Sequence, residues 1–169
     1  MKKRWLSLLV ENEIGVLARI SGLFSAKLYN LNSLTVGATE DESASRMTIS
    51  LTSDEKTFEQ VKKQLNRCVE VIKVIDLSDK VIHNKELLFI KIRDCGEVEL
   101  NELFRIAKVF SLTVYDYNFS SVILECVHSE DNNNSIIEFL NKRFSGKMEV
   151  VRGGSVAIES ISNHVYEDF

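Results

Sequence analysis

The chain up to Leu77 alternates between strand-like and helix-like hydrophobic patterns. Arg4 to Val10 and Leu31 to Ala38 are short, largely apolar runs, and Arg46 to Leu51 places apolar residues at every second position, as a half-buried strand does. Apolar residues recur instead at helical spacing in two stretches, at Val16, Leu17, Ile20, Leu23, Phe24 and Leu28 and at Phe58, Val61 and Leu65. With the β-branched run from Val69 to Leu77, the order is strand, helix, strand, strand, helix, strand.

The same order recurs in the second half. Strands are predicted at 86–93, 113–117 and 121–127, and short strands at 148–151 and 156–158 flank Gly153-Gly154. A loop is predicted at 131–134, and the intervening helical faces comprise Leu100, Leu103, Phe104, Ala107 and Phe110, then Ile136, Ile137, Leu140 and Phe144.

We therefore predict an α+β protein with two ferredoxin-like βαββαβ units, each an antiparallel sheet with helices on one face. Residues 1–78 form the first unit, 79–85 a polar linker and 86–169 the second unit. The first unit contains the whole plan and is expected to fold alone. Its outer strand edge is left open, which favours pairing with another subunit.

Composition excludes several classes of protein. No apolar run approaches the roughly 20 residues of a membrane span, and the apolar segment after the basic start is too short for a signal peptide, so we expect a cytoplasmic protein. A net charge of −4 argues against nucleic acid as a partner.

No catalytic or metal-binding motif is present in the sequence. The three cysteines and three histidines are scattered, without metal-ligand spacing, and phosphate-cradling glycine loops are absent. Glu11 and Glu13 are close in sequence but point in differing directions at a strand end. We expect no catalytic residues, no cofactor and no metal site in this chain.

The connection between the first strand and the first helix contains Asn12 and Gly15. A glycine at such a junction lets backbone N–H groups face a small anion such as a carboxylate, although it could also be a plain turn residue. Asn12 could cap the helix, or its amide could bind both a carboxylate and an ammonium. Asn30, after the helix, could be a left-handed C-cap.

An ordered set of motifs spans this region: Glu11-Asn12-Glu13 with Gly15, Tyr29-Asn30, Ser33-Leu34-Thr35-Val36 and Ser45-Arg46-Met47-Thr48. With these motifs the sequence resembles the ACT domain of the small, regulatory subunits of acetolactate synthase (acetohydroxyacid synthase). The second half resembles those proteins more loosely, in the same order of elements.

The resemblance implies a regulatory role in the synthesis of the branched-chain amino acids valine, leucine and isoleucine. The partner would be a separate, large catalytic subunit that binds thiamine diphosphate, Mg and FAD. The small subunit would stimulate that enzyme and would confer feedback inhibition, with valine bound where the ACT domains of a homodimer meet.

The resemblance also implies an effector site at Asn12, Ile14, Gly15, Val16, Asn30 and Val36, with Asn30 supplied by the neighbouring subunit. Ile14 and Val36 could form apolar walls for a branched side chain, or be ordinary core or interface residues. Arg46 could pair with a partner's acidic side chains or be solvated.

Three other functions fit the sequence less well. A free-standing ACT protein could sense an amino acid for another enzyme or a transcription factor, but the second half argues against it. An RNA-binding sheet would need exposed aromatic residues with basic neighbours, and an enzyme with a cysteine nucleophile would need a base beside the thiol. Neither pattern is evident.

Overall fold

A computed structural model describes residues 1–26 and 29–161. Its contacts divide the chain into two compact units. Among the described residues, the first unit comprises Met1–His83 together with 155–161, and the second comprises Asn84–Gly154.

The first unit has the predicted βαββαβ order. Its elements are β1 (Lys2–Glu11), α1 (Val16–Ala26), β2 (Leu31–Ala38), β3 (Ala44–Ser53), α2 (Glu55–Leu65) and β4 (Val71–Asp76). The sheet is antiparallel in the order β2-β3-β1-β4, so β2 and β4 are its edges. The core consists of alternate strand residues and the inner helix faces, and includes Leu6, Leu8, Ile20, Phe24, Met47, Ile49, Phe58 and Val61. Leu28, predicted on the face of the first helix, lies outside the described residues.

The second helix of this unit, α2, begins at Glu55. Asp54 is its N-cap, and the Asp54 carboxylate accepts a hydrogen bond from the Thr57 N–H at 2.7 Å. Lys62 anchors the helix to the end of β4, since its ammonium lies 2.8 Å from Asp76. Burial alone would raise the pKa of Asp76, but hydrogen bonds from Lys62 and Ser78 hold that pKa below its ordinary value.

The second unit repeats the plan. Its elements are β5 (Ile82–Ile92), α3 (Glu97–Val109), β6 (Thr113–Tyr117), β7 (Val122–His128), α4 (Glu130–Arg143) and β8 (Met148–Glu159). The first two residues of β5 and the last five of β8 fall in the first unit. The strand order β6-β7-β5-β8 matches that of the first sheet. Its core includes Leu88, Ile90, Leu103, Leu124, Ile136 and Leu140. The predicted fold class, two antiparallel sheets with helices in βαββαβ units, is confirmed.

An ion pair between a buried carboxylate and a partly exposed guanidinium joins β5 to β8. The guanidinium of Arg152 donates to both carboxylate oxygens of Glu86, at 2.8 and 2.6 Å, and Asn133 of α4 donates to the same carboxylate at 3.1 Å. The Glu86 side chain is only 4% exposed, so it depends on these donors for its charge to be tolerated.

Two local predictions for the second unit were wrong. Residues 131–134 lie within α4, because Ser129 is the N-cap and accepts from the Asn132 N–H, which places the helix start earlier. Residues 148–159 form one strand instead of two, and Gly154 within it has φ +81°, a conformation that glycine adopts without a steric penalty.

The unit boundaries also differ from those expected. β5 already begins at Ile82, within the predicted linker. Residues 155–161, expected in the second unit, join the first, and the backbone of Ser155 bonds to polar side chains on β2. Ser155 N–H donates to Ser33 Oγ at 2.9 Å, and Thr35 Oγ1 donates to the Ser155 carbonyl at 3.1 Å.

Within the described ranges, none of the helices is both long enough and apolar enough to cross a membrane.

Candidate functional site

The loop from Asn12 to Gly15 lies at the end of the first sheet where the β2–β3 hairpin turns. The strand register fixes this position, since Glu11 pairs with Ala44 and Ala38 pairs with Ser45. The loop and the hairpin turn are therefore neighbours, and together they form one rim of the unit.

Asn12 braces the loop against the hairpin. Its N–H donates to the Ser43 carbonyl at 2.8 Å, its Nδ2 donates to the Glu42 carbonyl at 2.9 Å, and its Oδ1 accepts from Ser45 Oγ at 3.0 Å. The predicted alternative of a helix cap does not hold, because α1 begins only at Val16. One N–H of the amide is still available to a ligand, since an amide nitrogen carries two.

Gly15 provides the turn into α1. Its φ is +92°, in the region that L side chains rarely adopt, and its carbonyl accepts the Arg19 N–H at 3.0 Å as the helix starts. A Cβ built on Gly15 would meet no atom of this chain within 4 Å. Open space therefore lies beside the first N–H groups of the helix, which carry the positive end of its dipole.

The three apolar residues predicted at the site differ in exposure. Ile14 is fully exposed and Val36 is 46% exposed, whereas Val16 is buried in the core. Val36 pairs with Met47 of β3, so it lies on the helix-covered side of the sheet, at the open edge. Ile14 and Val36 can contact a ligand with their side chains, but Val16 has only its main chain to offer.

Charged side chains hold the rim in place. Arg19 of α1 is paired with the carboxylate of Glu70, and the Glu70 carbonyl accepts the Glu11 N–H at 2.9 Å. In the hairpin turn, hydrogen bonds from the hydroxyl and the N–H of Ser43 lower the pKa of Asp41. These contacts hold α1 beside the start of β4 and stabilise the hairpin turn internally.

Asn30 lies at the other end of β2. It immediately precedes Leu31, which pairs with Leu51, whereas the Asn12 rim adjoins Ala38. Eight strand residues at about 3.4 Å each separate the two ends by more than 20 Å. One chain therefore does not bring Asn30 to Asn12 and Gly15. Asn30 is not a left-handed C-cap either, since the positive-φ residues other than glycine in the described chain are Asp94 and Ser111.

The cysteines of the second unit are poor nucleophiles. Cys95 and Cys126 are buried, and burial raises the pKa of both thiols, that of Cys126 to about 11. Across the described parts of the chain, no group of three or more His, Cys, Asp and Glu residues could hold a metal ion.

The hairpin partners Glu42 and Ser45 were not predicted as part of the site. Their role depends on the pairing of β1 with β3, and no local pattern in the sequence records that register. The Ser45-Arg46-Met47-Thr48 motif includes Ser45, and it was the sequence signal that pointed to this region.

Comparisons with known proteins cover both units. A family model described as an AHAS small subunit-like ACT domain matches residues 6–73, and one described as the small subunit of acetolactate synthase matches residues 85–161. The acetolactate synthase small subunit of Haemophilus influenzae is 36% identical over 156 residues, which cover 92% of this chain and 94% of that protein.

Two further proteins match this chain over nearly the whole length of both partners. The probable acetolactate synthase small subunit of Archaeoglobus fulgidus is 38% identical over 156 residues, covering 92% of this chain and 96% of that protein. The crystal structure of the acetolactate synthase small subunit from Thermotoga maritima superposes with a TM-score of 0.84 at 28% identity, covering 96% of this chain and 99% of that one.

Proposed function

Because this chain belongs to the family of acetolactate synthase small subunits, we propose that it stimulates a separate catalytic subunit and makes that subunit sensitive to valine. Valine would bind where the first units of two copies meet. The thiamine diphosphate, Mg and FAD of the reaction would be held by the catalytic subunit, which condenses two pyruvates, or pyruvate with 2-oxobutyrate.

The observation that carries this proposal is the position of the two asparagines relative to β2. β2 is an edge strand, and Asn12 and Asn30 lie near its opposite ends. An antiparallel pair of β2 strands related by a two-fold axis would exchange these ends. If Leu31 of one copy faces Ala38 of the other, Asn30 of the first copy lies opposite Thr39 of the second, beside its Asn12 rim.

The chemistry of such a shared site suits an amino acid. The N–H groups at the start of α1 favour a carboxylate, and the free space beside Gly15 admits it. The amide oxygen of Asn30 from the other copy would accept from the ammonium group. The exposed Ile14 and Val36 would contact the branched side chain.

Regulation then follows from linkage. An effector that binds only when two first units are paired favours that paired arrangement, and a catalytic subunit that binds the arrangements unequally responds to it. A free-standing sensor for another enzyme is less well supported, since the match to acetolactate synthase small subunits includes residues 85–161.

The test is reconstitution with a thiamine-diphosphate-dependent large subunit. We expect the two proteins to co-purify, the rate of acetolactate formation to rise when this chain is added, and valine to reverse part of that rise. A large subunit whose rate is unchanged by this chain would refute the proposal, as would acetolactate formation by this chain alone.

A further inference from the structure

A cavity separate from the proposed interface site lies in the first unit, on the face of the sheet away from α1 and α2. Its volume is about 370 Å³, which is near the lower end of the range for small-molecule sites. It lies between strands β1, β3 and β4 and the terminal part of β8, and its lining comprises Ser7, Glu40, Arg46, Ile75, Leu77, Ala157, Ile158 and Glu159.

The position of Arg46 on the sheet directs it to this face. Its neighbours Met47 and Ile49 alternate into the core, and Arg46 itself pairs with Leu9 of β1 and with Gly37 of β2. Because Gly37 has no side chain, the space beside Arg46 on the β2 side is not filled.

The Arg46 guanidinium is held but not neutralised. Its Nη1 donates to Ser7 Oγ at 3.0 Å, and Ser7 is itself buried, so the hydrogen bond fixes the planar group at the cavity wall. In residues 1–26 and 29–161, Arg46 takes part in no salt bridge. Its remaining N–H groups can still donate to a carboxylate.

The two acidic residues of the lining are not equivalent. Glu159 is paired with Lys80, with 2.6 Å between Nζ and Oε2. Glu40 belongs to the β2–β3 connection and, over the same described ranges, is in no salt bridge. The cavity lining therefore has one cation, Arg46, and one anion, Glu40, that lack an oppositely charged partner among the described residues, and the two do not form an ion pair with each other.

The rest of the lining is aliphatic. Ile75 and Leu77 come from the end of β4 and the residue that follows it, and Ala157 and Ile158 come from β8. The Leu77 N–H donates to the Trp5 carbonyl, and the Ser160 N–H donates to the Val81 carbonyl, so both sides of this wall are anchored.

We infer that this cavity is a second small-molecule site, which takes a zwitterionic amino acid with a small aliphatic side chain. Arg46 binds the carboxylate, Glu40 binds the ammonium group, and the aliphatic wall contacts the side chain. The site lies within one chain, so it needs no β2–β2 pairing and stands independently of the proposed valine site at the dimer interface.

The test is calorimetry on the full chain carrying Gly15→Asp, a change that blocks the proposed interface site and leaves the cavity intact. The probes are L-valine, isobutylamine, which lacks the carboxylate, and isovalerate, which lacks the amine. We expect L-valine to bind at one site per chain and each analogue to bind roughly tenfold more weakly or worse, as for the loss of a hydrogen bond between charged groups.

Arg46→Gln and Glu40→Gln, each added to that protein, should weaken L-valine binding by a similar factor. Lys73→Gln is the matched control, since Lys73 is an exposed residue of β4 that does not line the cavity. Circular dichroism melts establish that all variants are folded.

Two results would overturn the inference: no L-valine binding to the folded Gly15→Asp chain, or binding that Arg46→Gln and Glu40→Gln leave unchanged. A different result would show that the proposed interface site is wrong. In that case Gly15→Asp would leave valine inhibition of the reconstituted enzyme intact, whatever the calorimetry of the cavity variants shows.

Discussion

Two defective chains should restore valine binding when they are mixed, if the interface site is shared. Gly15→Asp places a carboxylate where the effector carboxylate is expected, and Asn30→His alters the group contributed by the other copy. In either homodimer both sites are damaged. In a mixed dimer one site carries both changes, while the other combines an unchanged Gly15 with an unchanged Asn30.

The fraction of valine sites restored follows from the number of intact sites in each kind of dimer. Random assortment of equal amounts makes about half of the dimers mixed, and each of these has one intact site of two, so about a quarter of the wild-type interface sites return. A site within one chain would return none, because every chain carries one change. The separation of Asn30 from the Asn12 rim by the length of β2 is the reason to expect the first result.

Folding needs its own control, because Gly15 has φ +92°. Any side chain there costs about 1–2 kcal/mol of strain. Gly15→Ala carries that strain but adds only a methyl group, which meets no atom of the chain within 4 Å. It should therefore destabilise the fold at least as much as Gly15→Asp, since Asp adopts a positive φ more readily than Ala, while retaining more valine binding.

The assay is calorimetric titration of valine into each homodimer and into the co-refolded mixture. Sites are counted as the excess over the parental variants, which cancels binding elsewhere on the chain. A mixture that binds no more valine than its parents, although tagged chains show that mixed dimers formed, would refute the shared site.

Three further outcomes are expected. Arg152→Leu should lower the free energy of unfolding in urea by about 3 kcal/mol, because it leaves the Glu86 carboxylate, only 4% exposed, without its charge partner, and a loss below 1 kcal/mol would contradict this. Peptide mapping after iodoacetamide treatment at about pH 8 should find Cys126 unlabelled in the folded protein and labelled in urea, since burial raises its thiol pKa to about 11. Asp76→Asn should reduce the loss of folding stability on acidification, because hydrogen bonds that include the one from Lys62 lower the folded pKa of Asp76 despite its burial. The stability that Asp76 contributes is present above its ordinary pKa of 3.8 and is lost as the pH falls through the lower folded pKa. A variant whose stability falls with pH as steeply as that of the wild type would exclude this contribution.

Apart from the loop expected at 131–134 and the break expected within β8, the sequence determined the elements and their order because each is encoded locally. The period of apolar residues distinguishes strands from helices, and Asp54 marks the start of α2 through a side chain that reaches only three residues ahead. β2 was predicted with its observed bounds for the same reason. The motifs around Asn12 and Gly15 were sufficient to indicate the family.

Only the tertiary structure decided how distant segments combine. The role of Asn12 as a brace comes from the pairing of β1 with β3, which brings Glu42 and Ser45 to it from about thirty residues away. Ser155 joins the first unit because two hydroxyl groups on β2 happen to face its backbone. Local patterns carry no record of either contact, since hydrogen bonds between remote segments depend on register and packing. The separation of Asn30 from Asn12 by the length of β2 is also visible only in the folded chain. Because of that separation, the proposed valine site needs a second copy of the chain.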